Sequence, residues 1–147
     1  MRKSVSIFGA TGSVGQSTLD LIRQHPEQYE IVALTANGNA VELAALAREF
    51  SAQVAVVAED SAYAELKNLL AGTSVEAASG PEALIAAAAM GAEWTMAAIV
   101  GCAGLPPTLE ALRSGKTVAL ANKEALVSAG ALMIAEARKA GATLLPV

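Results

Sequence analysis

The sequence predicts an α/β fold: a doubly wound, mainly parallel sheet of about seven strands with helices on both faces. Two observations carry this prediction. Short β-branched runs alternate with helical segments, and the runs are apolar throughout rather than at every second position. Strands of this kind are buried on both faces, and parallel neighbours need crossover connections, which the helices supply. A third observation, a glycine-rich turn directly after the first run, predicts a ligand-binding loop at one edge of the sheet.

The predicted strands are six apolar runs and one shorter candidate. The six runs are residues 5–8, 31–34, 54–57, 96–100, 118–120 and 143–145, and the shorter candidate is residues 74–77. No internal repeat or linker separates them, so residues 1–147 are predicted to form one domain.

Two predicted helices begin at residue pairs with the spacing of a capping box. Asn39 with Glu42, and Ser79 with Glu82, place a capping side chain three residues before an acid that can bond back to it. The sequence therefore predicts helix starts at both pairs.

The last predicted helix covers about residues 123–140. Leu126, Met133, Ile134 and Ala137 fall on one stripe of a regular helix there. This spacing predicts that all four side chains face the core.

The glycine-rich turn holds Gly9, Gly12 and Gly15 between the first strand and the first helix. Glycine permits a tight turn, a close approach of backbone to ligand and close packing of helix on strand. The unpaired N–H groups of the helix start attract an anion, so the turn is typical of Rossmann-like dinucleotide-binding domains. Thr11 and Ser13 are predicted either to cap the helix or to bond a phosphate directly.

The second strand-to-helix junction predicts the type of dinucleotide. An NAD-specific site normally carries an acid about 20 residues past the glycines, for the ribose 2′-hydroxyl. Residues 33–39 contain no acid, which favours NADP(H) over NAD(H). No Lys or Arg stands there to grip the 2′-phosphate, so Asn37, Gly38 and Asn39 would hold it through amides.

A further strand-to-helix junction carries Asn122, Lys123 and Glu124. The helix dipole disfavours a lysine in the first turn and favours an acid. A lysine placed there at a ligand-facing edge predicts an anionic partner such as a sugar phosphate. The alternative interpretation is a solvated Lys–Glu pair.

Four residues with potentially reactive side chains are interpreted as structural. Tyr63 and Lys67 have the spacing of short-chain dehydrogenases but are predicted to lie on a surface helix. His25 is the single histidine and is predicted to end a helix in solvent, so a histidine pair or histidine metal cluster is not expected. Cys102 has no neighbouring base in sequence and is predicted to be a small packed residue.

Composition restricts the class of protein. The net charge of −4 argues against a general nucleic-acid surface. The content of hydrophobic residues is 54%, yet the longest charge-free interval is too short and too rich in Gly and Pro to cross a membrane. One cysteine permits no internal disulfide, and no targeting peptide is recognisable, so a cytoplasmic location is expected.

Three segments together resemble a known family over essentially the whole chain. They are Gly-Ala-Thr-Gly-Ser-Val-Gly at 9–15 with Ser-Thr-Leu-Asp at 17–20, Ala-Ala-Ile-Val-Gly at 97–101, and Leu-Ala-Asn-Lys-Glu-Ala-Leu-Val at 120–127. The chain resembles the 1-deoxy-D-xylulose 5-phosphate reductoisomerases, and the Ala-Asn-Lys-Glu segment is the most specific part. The resemblance implies an enzyme that needs NADPH and Mg²⁺ or Mn²⁺. It rearranges and reduces 1-deoxy-D-xylulose 5-phosphate to 2-C-methyl-D-erythritol 4-phosphate in non-mevalonate isoprenoid synthesis, and it forms a homodimer.

The resemblance also implies roles for individual residues. Lys123 would face the substrate, and the remaining positions would bind NADPH: Thr11, Gly12, Ser13, Val14, Asn37, Gly38, Asn39, Asn122 and Glu124. The family usually has a basic residue at the position of Gly38, so this chain departs from the pattern there.

A second departure lies at the end of the chain. In the family, Asp-Ser-Glu-His follows Leu-Leu-Pro-Val and begins the metal site, whereas this sequence stops at Val147. The catalytic, metal and C-terminal helical parts are expected to be absent, with no catalytic or metal-ligating residue in this chain, so it should bind cofactor without turnover. Two alternatives remain: a non-catalytic dinucleotide-binding regulatory module, and the cofactor domain of a semialdehyde or homoserine dehydrogenase.

Overall fold

The structure is a computed structural model that describes residues 2–147, except for the side chains of Cys102 and Lys123. Seven strands alternate with six α-helices. The elements are β1 (Lys3–Phe8), α1 (Ser13–Gln24), β2 (Tyr29–Ala36), α2 (Ala40–Phe50), β3 (Val54–Val57), α3 (Tyr63–Leu69), β4 (Glu76–Ser79), α4 (Pro81–Ala88), β5 (Trp94–Ala97), α5 (Leu105–Arg113), β6 (Thr117–Leu120), α6 (Lys123–Ala140) and β7 (Thr143–Pro146). Short 3₁₀ turns cover Asp60–Ala62 and Cys102–Gly104.

All seven strands lie in one sheet in the order β4-β3-β2-β1-β5-β6-β7, and every pairing is parallel. The chain builds outwards from β1 to β4 and then returns to place β5 on the other side of β1. The strand order therefore reverses between β1 and β5. In sheets of this kind, the crevice at that point is where ligands bind.

Helices cover both faces of the sheet. Leu19, Leu43 and Leu66, from α1, α2 and α3, belong to the core cluster on one face. On the other face, α5 and α6 contribute Leu112 and Met133 to a second cluster, while α4 packs over β2, β3 and β4. The predicted fold class is confirmed, with a sheet that is entirely parallel.

Strand bounds differ from the prediction where a neighbouring strand ends. β5 begins at Trp94 and ends at Ala97, whereas the apolar run predicted a strand over 96–100. Ala97 lies opposite Phe8, the last residue of β1, and opposite Leu120, the last residue of β6. Beyond that point only the N–H of Ala98 still bonds to the carbonyl of Phe8, at 2.9 Å, so residues 99 and 100 have no ladder to join.

The prediction that four side chains of α6 face the core is partly wrong. Met133 and Ala137 are buried, but the exposed fraction is 37% for Leu126 and 44% for Ile134. The helix is kinked at Ala129, whose φ of −138° and ψ of 21° are not helical. Because the kink rotates one half of the helix against the other, Ala125, rather than Leu126, shares the buried face.

The capping box is confirmed at one of the two predicted sites. The Asn39 side chain caps α2 by accepting a bond from the Glu42 N–H. Ser79 instead lies in β4 and donates its hydroxyl to Asp60, at 2.8 Å. The N-cap of α4 is Gly80, which has no side chain to cap the helix.

Across the described residues, no helix is both long and apolar enough to cross a bilayer.

Candidate functional site

A cleft of about 210 Å³ opens where the strand order reverses, beyond the carboxyl ends of β1, β2 and β5. The turn after β1 forms one wall, and the segment after β5 forms another. Its lining residues are Gly9, Thr11, Gly12, Thr35, Ala36, Asn37, Ala58, Leu84, Ala98, Ile99, Val100 and Ala103. The cleft thus joins the first and second predicted junctions with the segment that follows β5.

The three glycines of the turn serve different needs. Gly9 has a φ of +85°, and a Cβ there would lie 2.7 Å from the carbonyl oxygen of Ala98. A Cβ on Gly15 would overlap the carbonyl oxygen of Gly9 and lie 2.7 Å from the Cα of Ala10. A Cβ on Gly12 would meet only the Gly9 oxygen, at an ordinary 3.6 Å. The protein's own packing therefore requires Gly9 and Gly15, whereas Gly12 leaves backbone open towards the cleft.

Thr35 anchors the turn from the neighbouring strand. Its hydroxyl accepts the N–H of Gly9 at 3.0 Å, and its carbonyl accepts the N–H of Ala10 at 2.7 Å. The side chain is 1% exposed. Sequence reasoning placed Thr35 only at a junction, because its bonds cross between strands that are distant in sequence.

The start of α1 offers donors to a ligand. Gly12 is the N-cap, and no side chain caps the helix, so neither Thr11 nor Ser13 is used as a cap. The first intrahelical bond runs from the N–H of Gln16 to Gly12, at 2.9 Å. The N–H groups of Ser13 and Val14 find no acceptor among the described residues. Such a helix end, with its partial positive charge, suits a pyrophosphate.

The turn after β2 contains no acidic residue of its own, but an acidic side chain from another part of the chain lies beside it. Glu59 follows β3 and accepts a bond from the Asn37 side-chain amide at 3.3 Å. Its carboxyl carbon lies 3.0 Å from where a Cβ on Gly38 would be. The absence of acids in residues 33–39 was thus an incomplete basis for predicting NADP(H), since β3 brings a carboxylate to the same turn.

Asn39 is committed to the helix start. Its Oδ1 accepts the Glu42 N–H at 3.1 Å, and its Nδ2 donates to the Glu42 carboxylate at 2.9 Å. Glu42 also accepts from the side chain of Gln16, which links α2 to α1. Capping therefore uses one of the two N–H donors of the Asn39 amide, so it does not exclude the predicted contact with a 2′-phosphate.

Asn122 and Glu124 clamp the segment that follows β5. The buried amide of Asn122 donates to the carbonyls of Ile99 and Gly101, at 2.6 and 2.7 Å, and its Oδ1 caps α6 through the Ala125 N–H at 3.0 Å. Glu124 accepts the N–H of Gly101 at 3.1 Å. These residues shape the wall of the cleft, and sequence reasoning did not anticipate that role.

Lys123 begins α6, and its side chain lies outside the described residues, so its predicted contact with substrate has no structural description. The side chain of Cys102 also lies outside them. Tyr63 and Lys67 lie on α3, with the ammonium nitrogen 6.0 Å from the ring centroid, and His25 is the exposed C-cap of α1. Those last interpretations agree with the sequence prediction.

Comparison with known proteins shows which family the sequence resembles. The family profile described as 1-deoxy-D-xylulose 5-phosphate reductoisomerase matches residues 5–130. The reductoisomerase of Zymomonas mobilis is 60% identical over 145 residues, which are 99% of this chain and 37% of that protein. The chain therefore spans little more than a third of the length of the curated relatives it matches.

Solved structures show the same similarity. The Zymomonas mobilis reductoisomerase in complex with NADPH superimposes with a TM-score of 0.98 at 59% identity, covering 99% of this chain and 38% of that one. A reductoisomerase in complex with NADPH, fosmidomycin and magnesium gives a TM-score of 0.92 at 48% identity, covering 98% and 36%. In the part of this chain that the structure describes, no three His, Cys, Asp or Glu side chains are grouped as a metal site.

Proposed function

Because this chain belongs to the 1-deoxy-D-xylulose 5-phosphate reductoisomerase family, we propose that residues 1–147 form the NADPH-binding domain of such an enzyme. The observation that carries the proposal is the combination of an open Gly12 backbone with unpaired N–H groups at the start of α1. A dinucleotide pyrophosphate needs both features, since its oxygens accept hydrogen bonds and its charge favours a helix N-terminus.

The donors of the turn fit the cofactor residue by residue. The backbone of Gly12, Ser13 and Val14 would hold the pyrophosphate, and Thr11 lines the same cleft. Asn37 lines the cleft, and it would face the adenosine ribose together with its neighbours Gly38 and Asn39. When bound, NADPH supplies the hydride for reduction.

The other predicted residues would act on the nicotinamide side of the cleft. Asn122 and Glu124 would hold the segment after β5 against the cofactor, because they fix Ile99 and Gly101 in place. Lys123 would bind the phosphate of the substrate. Together they would restrict where the nicotinamide and the substrate meet.

The activity of the whole protein is a wider proposal. It would rearrange and reduce 1-deoxy-D-xylulose 5-phosphate with Mg²⁺ or Mn²⁺, using ligands from the part of the relatives that this chain does not span. The exposed apolar side chains of Val127, Leu132 and Ile134 on α6 are available to contact that part. We also propose a cytoplasmic homodimer without a nucleic-acid partner, in keeping with the net charge of −4.

Calorimetric titration with NADPH, followed by a turnover assay with Mg²⁺ or Mn²⁺, tests this proposal. The chain should bind about one NADPH per molecule and show no reduction of 1-deoxy-D-xylulose 5-phosphate. A full-length reductoisomerase that contains the chain should show both binding and turnover. Turnover by the isolated chain would refute the proposal that it binds the cofactor without catalysis. Lack of binding would refute the proposed NADPH site.

The family match favours this proposal over the cofactor domain of a semialdehyde or homoserine dehydrogenase. A non-catalytic regulatory module would also bind the dinucleotide. The gene separates the two, since an Asp-x-Glu directly after Val147 begins the expected metal site, whereas a stop codon there fits the regulatory module.

A further inference from the structure

The turn between β2 and α2 contains a residue pair with covalent reactivity of its own. The chain has four asparagines, and Asn37 is the one that precedes a glycine. The other three, each followed by a larger residue, are Asn39, Asn68 and Asn122. An asparagine side chain can react with the backbone nitrogen of the next residue, and a glycine there has no Cβ to hinder the approach. Asn37 therefore precedes the least hindered backbone nitrogen that a chain offers.

The structure leaves that nitrogen accessible to reaction. Residues 37 and 38 lie between the end of β2 and the start of α2, outside any helix or strand. The N–H of Gly38 has no acceptor among the described residues, so no hydrogen bond has to break before it loses its proton. The carbonyl of Asn37 accepts the N–H of Glu59 at 2.9 Å. That bond polarises the peptide group, which favours loss of the Gly38 proton.

The side chain of Asn37 is held weakly. It is exposed, and its bond from Nδ2 to the Glu59 carboxylate is long, at 3.3 Å. Asn39 and Asn122 are instead held at both ends of the amide, in part by the bonds that cap α2 and α6. Asn68 lies inside α3, where the helical pattern directs the next N–H to a carbonyl. Asn37 therefore combines a weakly held amide with a glycine whose N–H is unpaired.

We propose that Asn37 is a site of spontaneous covalent modification, in which its side chain deamidates and NADPH binding weakens. The Gly38 nitrogen gives up its proton and bonds to Cγ of Asn37, while the bond from Cγ to Nδ2 breaks and Nδ2 leaves as ammonia. The resulting succinimide ring takes up one water molecule at either of its carbonyl groups. The products are aspartate and isoaspartate, and no step needs an oxidant or a reductant.

The effect on NADPH rests on the proposed cofactor site, whose cleft Asn37 lines. Both products place a new carboxylate at the turn, and its charge opposes the 2′-phosphate of the cofactor. Isoaspartate also lengthens the main chain between β2 and α2 by one methylene group. Deamidation should therefore weaken NADPH binding, and bound NADPH should slow deamidation because it restricts the turn.

Incubation of the purified chain at neutral and alkaline pH, followed by peptide mapping with fragmentation mass spectrometry, tests the modification. Asn37 should gain one dalton, and the gain should be faster at alkaline pH because the attacking nitrogen must lose its proton. Gly38→Ala should slow the conversion about tenfold, because a Cβ restricts the approach of the nitrogen. Asn37→Gln should abolish it, since the longer side chain would have to close a larger ring. Circular dichroism verifies that each variant is folded.

Ala40→Gly is the matched control, because it creates a second Asn-Gly pair two residues further on. There the backbone N–H bonds to the Gly38 carbonyl at 3.0 Å, and capping of α2 holds the Asn39 amide. Asn39 should therefore convert much more slowly than Asn37 in this variant.

NADPH titration tests the consequence for binding. Anion exchange separates the converted chain by its added charge, and its dissociation constant for NADPH should be weaker on the order of tenfold. NADPH at about ten times its dissociation constant should slow conversion of the wild-type chain roughly tenfold, because only about a tenth of the chain is then unbound.

An unchanged Asn37 after prolonged incubation at alkaline pH would overturn the modification. So would conversion of Asn39 in Ala40→Gly at the rate of Asn37, because the local structure would then not select the site. Equal NADPH affinity of the converted and unconverted chains would overturn the effect on binding. If Asn37 converts but neither form binds NADPH, the proposed cofactor site fails while the modification stands.

Discussion

The glycines in the turn after β1 differ in what an added Cβ atom would contact, and this distinguishes the structural glycines from the one that faces the ligand. Gly15→Ala should destabilise the chain by about 1–3 kcal/mol, because the new Cβ would overlap the backbone of Gly9 and Ala10. Gly12→Ala should change the free energy of unfolding by only about 0.5 kcal/mol, since its Cβ would meet the Gly9 oxygen at 3.6 Å. Urea denaturation of both variants measures this difference.

The same pair separates folding from binding. Gly12→Ala should weaken NADPH binding although the chain remains folded, because the methyl group points into the proposed pyrophosphate site. Equal loss of stability in the two variants would contradict the roles assigned to these glycines.

Asn122 provides a second prediction for a single residue. Asn122→Asp should cost roughly 2–3 kcal/mol of stability, because a carboxylate in place of the amide leaves the carbonyls of Ile99 and Gly101 without donors. Chemical denaturation measures the loss, and Asn68→Asp at an exposed position of α3 is the matched control. An Asn122→Asp variant as stable as that control would show that the clamp does not stabilise the fold.

Local signals made some of the site predictable from sequence. The glycine spacing at Gly9 to Gly15 and the capping pair of Asn39 with Glu42 each involve neighbours in the chain, and the structure shows both as predicted. Glu59 escaped prediction because it reaches Asn37 only after β2 and β3 pair. Asn122 was noted, but its partners Ile99 and Gly101 lie on another loop, so its clamping role was not visible.

The same distinction holds for whole elements. Apolar runs located six of the seven strands, because parallel strands packed between helices are mostly apolar, and the shorter candidate at 74–77 overlaps β4. The end of β5 depends on where β1 and β6 stop, and the buried face of α6 depends on the kink at Ala129. Neither is encoded in local periodicity.

The link between α1 and α2 gives a prediction about pH. Arg23 donates to Glu49 at 2.5 Å, and this hydrogen bond, with the attraction of the opposite charge, lowers the pKa of Glu49 below its usual 4.5. A lowered pKa in the folded state stabilises the protein above the unfolded pKa, and that contribution is lost as pH falls through the folded value. Both side chains are about 40% exposed, so screening by solvent keeps the effect small.

Glu49→Gln should therefore lose about 0.5 kcal/mol at neutral pH. The difference from the wild type should begin to shrink near pH 4.5 and vanish below the lowered pKa of the folded state. Thermal denaturation across that range measures it, with Glu65→Gln on α3 as the control. A difference that persists at low pH would show that the carboxylate charge is not its cause.

At the scale of the whole molecule, the structure has several clefts, and two of them have similar volumes. One of about 210 Å³ lies beyond the carboxyl ends of the strands, at the glycine turn. The other, of about 230 Å³, lies near the opposite edge, where Lys3, Tyr29 and Trp94 begin their strands. Volume does not distinguish them. Of the two, only the first lies beyond the carboxyl ends of the strands at the reversal of strand order, next to the open backbone of Gly12 and the unpaired N–H groups at the start of α1.

Amide chemical shifts of the ¹⁵N-labelled chain during titration with NADPH decide between these clefts most directly. We predict that the largest shifts occur at the N–H groups of Gly12, Ser13 and Val14, with smaller ones at Asn37 and Gly38. Shifts concentrated at Lys3, Tyr29 and Trp94, or none at saturating NADPH, would contradict the assignment of the glycine turn as the dinucleotide site.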